Sequence, residues 1–290
     1  MGLKKVWFVT GASKGLGLSL VNQLLKAGQF VAATSRNVND LIAVVNSNSE
    51  KFLPLAVNLA DELSVEHAIN ATVTQFGSID VIINNAGYGI GGSIEELTDE
   101  ETRSAFDVNV FGTLNVIRKA SPHLRAQRAG HIINIASIAG IAGATGWAIY
   151  SAAKAAVIAL SEVLAEDLKE FGVKVTVVAP GAFRTSFLKE ESLMLTKNPI
   201  DAYEEVRAVH ARYLKMDGAQ AGDPEKAAAA MISLVSMPNP PIHLLLGNDA
   251  LQRATAKTDA LIKEYQDWKA ITISTDFDLP PTTTIQENIS

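Results

Sequence analysis

The sequence predicts an α/β fold, a doubly wound parallel sheet with helices on both faces in a single domain, and three observations point to it. Short runs rich in Val, Ile and Phe alternate with longer stretches of helical periodicity along most of the chain, the pattern of βαβ units rather than of hairpins. The first such run passes at once into a glycine-rich turn, Gly11, Gly15 and Gly17, that opens a helical segment. Polar or glycine-rich stretches also follow later strands, at 84–87, at Ser137 and at Pro180-Gly181. Strand-end loops of a parallel sheet gather on one edge, where ligands collect.

Residues 4–10 read as the first strand and 18–27 as the first helix, stopped by Gly28. Between them, glycines without Cβ atoms allow a tight turn and let a pyrophosphate approach the N–H groups at the positive end of the helix. The spacing is Gly-x-x-x-Gly-x-Gly, a departure from Gly-x-Gly-x-x-Gly, and the same residues spell Gly11-x-Ser13-x-Gly15, the nucleophile-elbow pattern of a serine hydrolase. That rival needs an acid and then a histidine at later strand ends. His67, His123 and His210 instead fall in helical stretches, and His131 and His243 at strand starts. Residues 29–34 form the second strand, ending in Ser35, Arg36 and Asn37. A dinucleotide fold selective for the unphosphorylated cofactor would place Asp or Glu here, about 20 residues past the glycines. Arg36 stands there instead, and with Lys14 it offers cations suited to a 2′-phosphate.

A helix is expected over 38–46, a strand over 52–57, and a loop over 58–61 that caps a helix over 62–76. The strand at 79–83 ends in Asn84, Asn85, Ala86 and Gly87, and the glycine-rich 88–92 is expected to be mobile. Thr98 and Glu101 have capping-box spacing and open a helix running to about residue 127. Asn109 lies within it on an apolar face, where a buried amide needs partners and disturbs the helix. The strand at 131–136 leads to Ser137, then a small-residue loop, a helix over 147–171 and a strand over 173–179. Residues 182–222 break the rhythm with an insertion that carries Phe183, Phe187, Leu188, Leu193, Met194, Leu195, Tyr203, Val206 and Tyr213. It reads as a lid over an apolar substrate, or as a subunit interface or satellite core. Asp223-Pro224 opens a helix to 236, followed by a strand at 242–246 and a helix at 248–268. With no repeat or linker, residues 1–268 form one domain, and the polar, Thr-rich 269–290 is expected to be a loosely ordered tail.

Composition narrows the function. The 290 residues can bury a substantial core. A net charge of −6 argues against general nucleic-acid binding. No apolar run approaches ~18 residues, so no membrane span is expected. Two N-terminal lysines precede only a short apolar run with no cleavage site behind it, and Val6 occupies the place where a myristoylation motif needs Ser or Thr. The absence of cysteine excludes disulfides and thiol nucleophiles and suits a cytoplasmic location. The five scattered histidines lack ligand spacing, so no metal site is expected.

The chemistry centres on Tyr150 and Lys154. Four residues apart in an alanine-rich helical segment, they leave the same face about one turn apart. A nearby ammonium favours the phenolate, so the spacing is expected to bring the phenol toward use near neutral pH as a general acid/base. Ser137, at the end of an apolar strand, can hydrogen-bond the same reacting oxygen.

Together Thr10-Gly11-x-x-x-Gly15-x-Gly17, Asn84-Asn85-Ala86-Gly87, Asn109, Ser137, Tyr150-x-x-x-Lys154 and Pro180-Gly181 with Thr185 resemble the classical short-chain dehydrogenases/reductases, in the family's order and over roughly residues 3–250. The resemblance implies a Rossmann fold and a catalytic tetrad of Asn109, Ser137, Tyr150 and Lys154. It implies a nicotinamide cofactor lying across Gly11, Ser13, Lys14, Gly15, Leu16 and Gly17, then Ser35 and Arg36, Asn58 and Leu59, and Asn85, Ala86 and Gly87. Tyr150, Lys154, Pro180, Gly181, Phe183 and Thr185 complete that set. Asn58 departs from the Asp that many members carry beside the adenine. The chain is most similar to NADP-preferring ketone or hydroxysteroid reductases, so NADP(H) is expected over NAD(H). The resemblance also implies a homodimer or homotetramer, with Val110, Leu114, Val157 and Leu164 available for an interface. Three functions are in view: an NADP(H)-dependent oxidoreductase acting on a carbonyl or secondary alcohol, a dinucleotide-binding regulator without catalysis, and a serine hydrolase using Ser13.

Overall fold

The computed structural model describes residues 4–277. The chain begins β1 (Val6–Val9), α1 (Gly15–Lys26), β2 (Phe30–Ser35), α2 (Val38–Val45), β3 (Phe52–Ala56), α3 (Glu62–Phe76) and β4 (Val81–Asn84). It continues through β5 (Gly89–Gly91), α4 (Asp99–Phe106), α5 (Gly112–Gln127), β6 (Gly130–Ile135), α6 (Ala148–Lys169) and β7 (Val173–Pro180). β8 (Leu193–Leu195), α7 (Glu204–Leu214), α8 (Pro224–Leu234), β9 (His243–Leu246), α9 (Asn248–Asp267) and α10 (Lys269–Ile273) complete it.

Seven strands form one parallel sheet in the order β3-β2-β1-β4-β6-β7-β9. The order reverses between β1 and β4, and a crevice opens at such a switch point beyond the strands' carboxyl ends. Side chains alternate across each strand, so β1 sends Trp7 and Val9 to one face and Phe8 to the other. The first face meets Leu20 and Leu24 of α1 and Met231 of α8, the second Ile69 of α3, Val116 of α5 and Leu168 of α6. Both faces are therefore covered, which explains why the strands are near-continuous hydrophobic runs.

Local signals act as read. Asp61 and Asp223 cap α3 and α8, and Thr98 with Glu101 forms a reciprocal capping box on α4. Four expectations change. The span from Thr98 to Gln127 is two helices joined by a π-helical turn, Asp107–Phe111, that contains Asn109. Residues 88–92 contain an ordered strand: β5 pairs with β8, and a Cβ at Gly91 would sit 2.7 Å from Leu195 Cδ2. Those glycines serve close approach rather than motion. Val110 and Val157 are buried within the subunit and cannot supply an interface, and Leu114 and Leu164 are half-buried. The exposed apolar side chains of that region are Phe111 and Val163. Finally, helix continues beyond residue 268 into α10, while 278–290 lie outside the described residues. α6 has the length and mean hydropathy, 1.5, of a membrane span, yet it packs Val157 and Leu168 under the sheet and carries the buried Lys154.

Candidate active site

The carboxyl ends of β1, β2, β4, β6 and β7 surround a cavity of about 950 Å³. Every predicted cofactor residue lines it except Gly17. Gly17 is instead a packing glycine: a Cβ there would lie 2.4 Å from the Gly11 carbonyl and 2.5 Å from Asn85 Nδ2. Gly11 and Gly15 have φ of +64° and +56°, the left-handed region that side chains resist. Asn85 stitches β4's end to this turn, donating from Nδ2 to the carbonyls of Thr10 (2.9 Å) and Gly11 (3.0 Å).

The turn fits an anion. No side chain caps α1, and its first turn holds no acid, so the helix's positive end is left to whatever enters the cavity. At the far side, Arg36 lies close enough to Lys14 to lower its pKa, an effect led by burial and opposed by Glu191. Lys14 Nζ donates to the Glu191 carbonyl at 3.0 Å, with the carboxylate at 4.0 Å.

At the other end of the cavity stand Ser137, Tyr150 and Lys154. Lys154 Nζ donates to the Ile135 carbonyl at 2.9 Å and lies 5.9 Å from the Tyr150 ring centroid. The lowering of the phenol pKa that the spacing predicts is not found. Burial pushes Tyr150 up to about 12, offset in part by a hydrogen bond from Ser137, and burial pulls Lys154 down to about 8. Both groups are less than one-tenth exposed, so each loses solvation that its charged form needs.

Asn109 does not line the cavity but backs it. Its Oδ1 accepts from Tyr88 N at 3.2 Å, and its Nδ2 donates to the carbonyls of Tyr88 (3.1 Å) and Ala105 (2.9 Å). These bonds satisfy the buried amide and accompany the π-helical turn. A Cβ on Gly87 would lie 2.5 Å from Asn109 Oδ1 and 3.3 Å from Lys154 Nζ, so the three residues converge.

The insertion supplies the outer wall, with Leu188, Met194, Tyr213 and Met216. Tyr213 and His210 meet the Trp147 ring edge-on, at 5.3 and 4.9 Å between centroids. Two features escaped sequence reading. Asp249 lines the cavity and accepts from Ala182 N at 2.8 Å, which fixes the turn after β7. Its place just past β9, on the same sheet edge as the other loops, was the available signal. Glu96 anchors the insertion and carries no motif at all. No histidine lines the cavity that holds Ser13, which removes the base a serine hydrolase requires.

A family model described as short chain dehydrogenase matches residues 5–196. Oxidoreductase BOA17 of Botryotinia fuckeliana (strain B05.10) is 33% identical over 274 residues, covering 94% of this chain and 99% of that protein. A short-chain dehydrogenase structure from Streptomyces avermitilis superposes with a TM-score of 0.87 at 33% identity, over 94% of this chain and 98% of the other. ElxO, solved with NADP bound, superposes with a TM-score of 0.71 at 27% identity, over 86% of this chain and 100% of its own. The chain belongs to the short-chain dehydrogenase/reductase family of oxidoreductases.

Proposed function

We propose that the protein interconverts a ketone and a secondary alcohol with NADP(H), on a substrate with apolar bulk. The observation that carries this reading is a single cavity with an uncapped helix end and two cations at one side, and Tyr150, Ser137 and Lys154 at the other. The glycine turn and the start of α1 would hold the pyrophosphate, Arg36 and Lys14 the 2′-phosphate, and Lys154 with the turn after β7 the nicotinamide ribose. When bound, the reduced cofactor supplies hydride to the carbonyl carbon. Tyr150 gives its phenolic proton to the oxygen on which negative charge develops, so carbonyl, hydride and proton sum to the alcohol. Ser137 hydrogen-bonds and orients that oxygen, and Lys154 places positive charge near the phenolate left behind. Asn109 would position a relay water toward Lys154.

The apolar wall formed by Leu188, Met194 and Met216 supports a substrate with hydrophobic bulk. We further propose a cytoplasmic homodimer or homotetramer assembled through α5 and α6; light scattering of the purified protein tests the assembly, and fractionation of the cells that make it tests the location. The chemical test is Tyr150→Phe with NADPH and a panel of aromatic and alicyclic ketones, followed at 340 nm. Loss of a positioned general acid lowers turnover by about 10²–10⁴-fold. NADPH affinity stays close to wild type. Wild-type turnover in the variant refutes the assignment, and NADPH binding without turnover by the native enzyme on any ketone favours the regulator.

A further inference from the structure

Among the described residues, the cations that line the cavity are Lys14, Arg36, Lys154 and Arg253. The proposed reaction gives Lys14 and Arg36 to the 2′-phosphate and Lys154 to the ribose and the phenolate, which leaves Arg253 of α9 without a task. Its place follows from what α9 packs against. Ile138, next to Ser137, packs on Ala250 and Ala254, and Asp249 holds the turn after β7 through Ala182 N. Arg253 stands one helical turn beyond Asp249, about 6 Å along the axis. Its Nη2 donates to the carbonyl of Ala142, whose own N–H donates to the Ile138 carbonyl in the turn that Ser137 opens. The guanidinium is thereby anchored at the Ser137 end of the cavity, away from the two cations proposed for the 2′-phosphate. It has donors to spare, since a guanidinium carries five and the bond to Ala142 is the one it makes among the described residues. The side chain is half-buried, and its remaining nitrogens are not among the unpartnered polar atoms that the fold seals off. Nor is it neutralised: among the described residues it forms no ion pair. Of the carboxylates that line the cavity, Asp249 is turned onto Ala182 N, Glu191 lies beside Lys14 at 4.0 Å, and Glu190 is exposed.

We propose that Arg253 is a specificity-determining contact for an anionic group of the substrate, and that the substrate is an oxo acid, a ketone on an apolar skeleton that ends in a carboxylate. The planar fork of a guanidinium matches a carboxylate with two parallel hydrogen bonds. Arg253 acts alone at its end of the cavity, and one guanidinium balances the single charge of a carboxylate rather than the larger charge of a phosphate. The apolar wall on the insertion faces the skeleton, Tyr150 and Ser137 take the ketone oxygen, and Arg253 takes the acid. Reduction then yields the corresponding hydroxy acid.

This inference rests on the ketone-reductase reading, and two measurements keep the two separable. The first compares oxo acids on apolar chains, with the ketone at successive distances from the carboxylate, against their primary amides, using NADPH. The wild type favours at least one acid over its amide by roughly tenfold or more in kcat/KM, the worth of a charge-assisted hydrogen bond. In Arg253→Gln that ratio falls to near one through a higher KM for the acid, and Arg253→Lys, which keeps the charge without the fork, retains part of it. The second measures binding of the same acids and amides to the NADP-loaded enzyme by calorimetry, which reads the preference even if no ketone turns over. Arg253→Met replaces the glutamine variant if that one melts early. No preference for an acid in the wild type, or one that survives removal of the charge, overturns the proposal. So does an equal loss for acid and amide, which would assign Arg253 to holding the Ala142 turn alone. A higher NADPH dissociation constant with the substrate ratio unchanged overturns it as well, by assigning the guanidinium to the cofactor.

Discussion

Replacing Glu96 by Gln tests how the insertion is held over the cavity. The Glu96 side chain has no exposed surface and its two oxygens are fully used. Oε1 accepts from Ile200 N at 2.7 Å, Oε2 accepts from Ser93 N at 2.8 Å, and Arg207 Nη2 bonds both, at 2.5 and 2.6 Å. Ile200 and Arg207 belong to the insertion, and Ser93 to the loop after β5. Around this node, Thr196 Oγ1 donates to the Glu96 carbonyl at 2.9 Å and the Tyr203 hydroxyl to Glu95 at 2.7 Å. Glutamine keeps the shape but has one oxygen. Whichever way its amide turns, an NH2 faces one of the two backbone N–H groups, and that buried donor is left unmet at about 1–3 kcal/mol. Arg207 also loses its only carboxylate partner among the described residues, and breaking a buried pair from one side costs about 3–5 kcal/mol. Arg207 is about one-third exposed and can recover some hydration, so the expected total is about 3 kcal/mol.

The loss is local, so the assay must be local as well. Limited proteolysis should cut the variant within 182–222 at least tenfold faster than wild type, and KM for a ketone should rise more than kcat falls. Acid gives a second readout. Burial raises the Glu96 pKa, but the bonds from Ile200, Arg207 and Ser93 outweigh it and hold the carboxyl at about 2. A carboxylate with a depressed folded-state pKa contributes stability that is full above about 4.5 and is lost as pH falls toward 2. The wild-type insertion should therefore become cleavable across that window, and the variant should lack this acid-dependent step. Equal protease resistance and equal KM in Glu96→Gln refute the reasoning.

The remaining predictions concern the catalytic floor and the cofactor. Gly87→Ala forces a methyl to within 2.5 Å of Asn109 Oδ1, an overpacking of about 1–3 kcal/mol, and should cut kcat at least tenfold with a lower melting temperature. Unchanged kcat would show that Asn109 is not held by that contact. Arg36→Asp removes a phosphate-binding cation and adds repulsion, so the kcat/KM ratio for NADPH over NADH should fall by about 10²-fold; a ratio unmoved by the change rejects Arg36 as the selector. Because Lys154 is held at about 8, its charge is lost as pH rises past that value, and kcat/KM for ketone reduction should decline there with a one-proton slope. A profile flat to pH 10 contradicts the role given to Lys154.

The sequence was most legible where chemistry is tied to short spacing. Glycines at 11 and 15, the caps at Asp61, Thr98 and Asp223, and Tyr150 with Lys154 one helical turn apart each carry local geometry within a few residues. It failed where partners are distant. Gly89 and Gly91 looked like a flexible stretch because β8, about a hundred residues later, was not visible as their partner. Val110 and Val157 looked like surface stripes because a helix buried on several sides has the same periodicity as one exposed on one. Glu96 was an unremarked acid until the fold brought Ile200 and Arg207 to it.

The unmet expectation for the phenol follows from the same limitation and bears on how each direction depends on pH. Spacing reveals that an ammonium is near Tyr150, but desolvation depends on every element packed around both groups, and here it dominates, with the phenol at about 12 and the ammonium at about 8. For a proton donor this is no handicap. A phenol at about 12 stays protonated throughout neutral pH, and the alkoxide forming on the substrate is a stronger base than any phenolate, so transfer to it remains downhill. Alcohol oxidation asks the reverse of the same residue, since it needs the phenolate, which at that pKa is scarce at neutral pH. Under the role proposed for Tyr150, the oxidation rate should gain with rising pH until the loss of charge on Lys154 removes the cation that stabilises the phenolate.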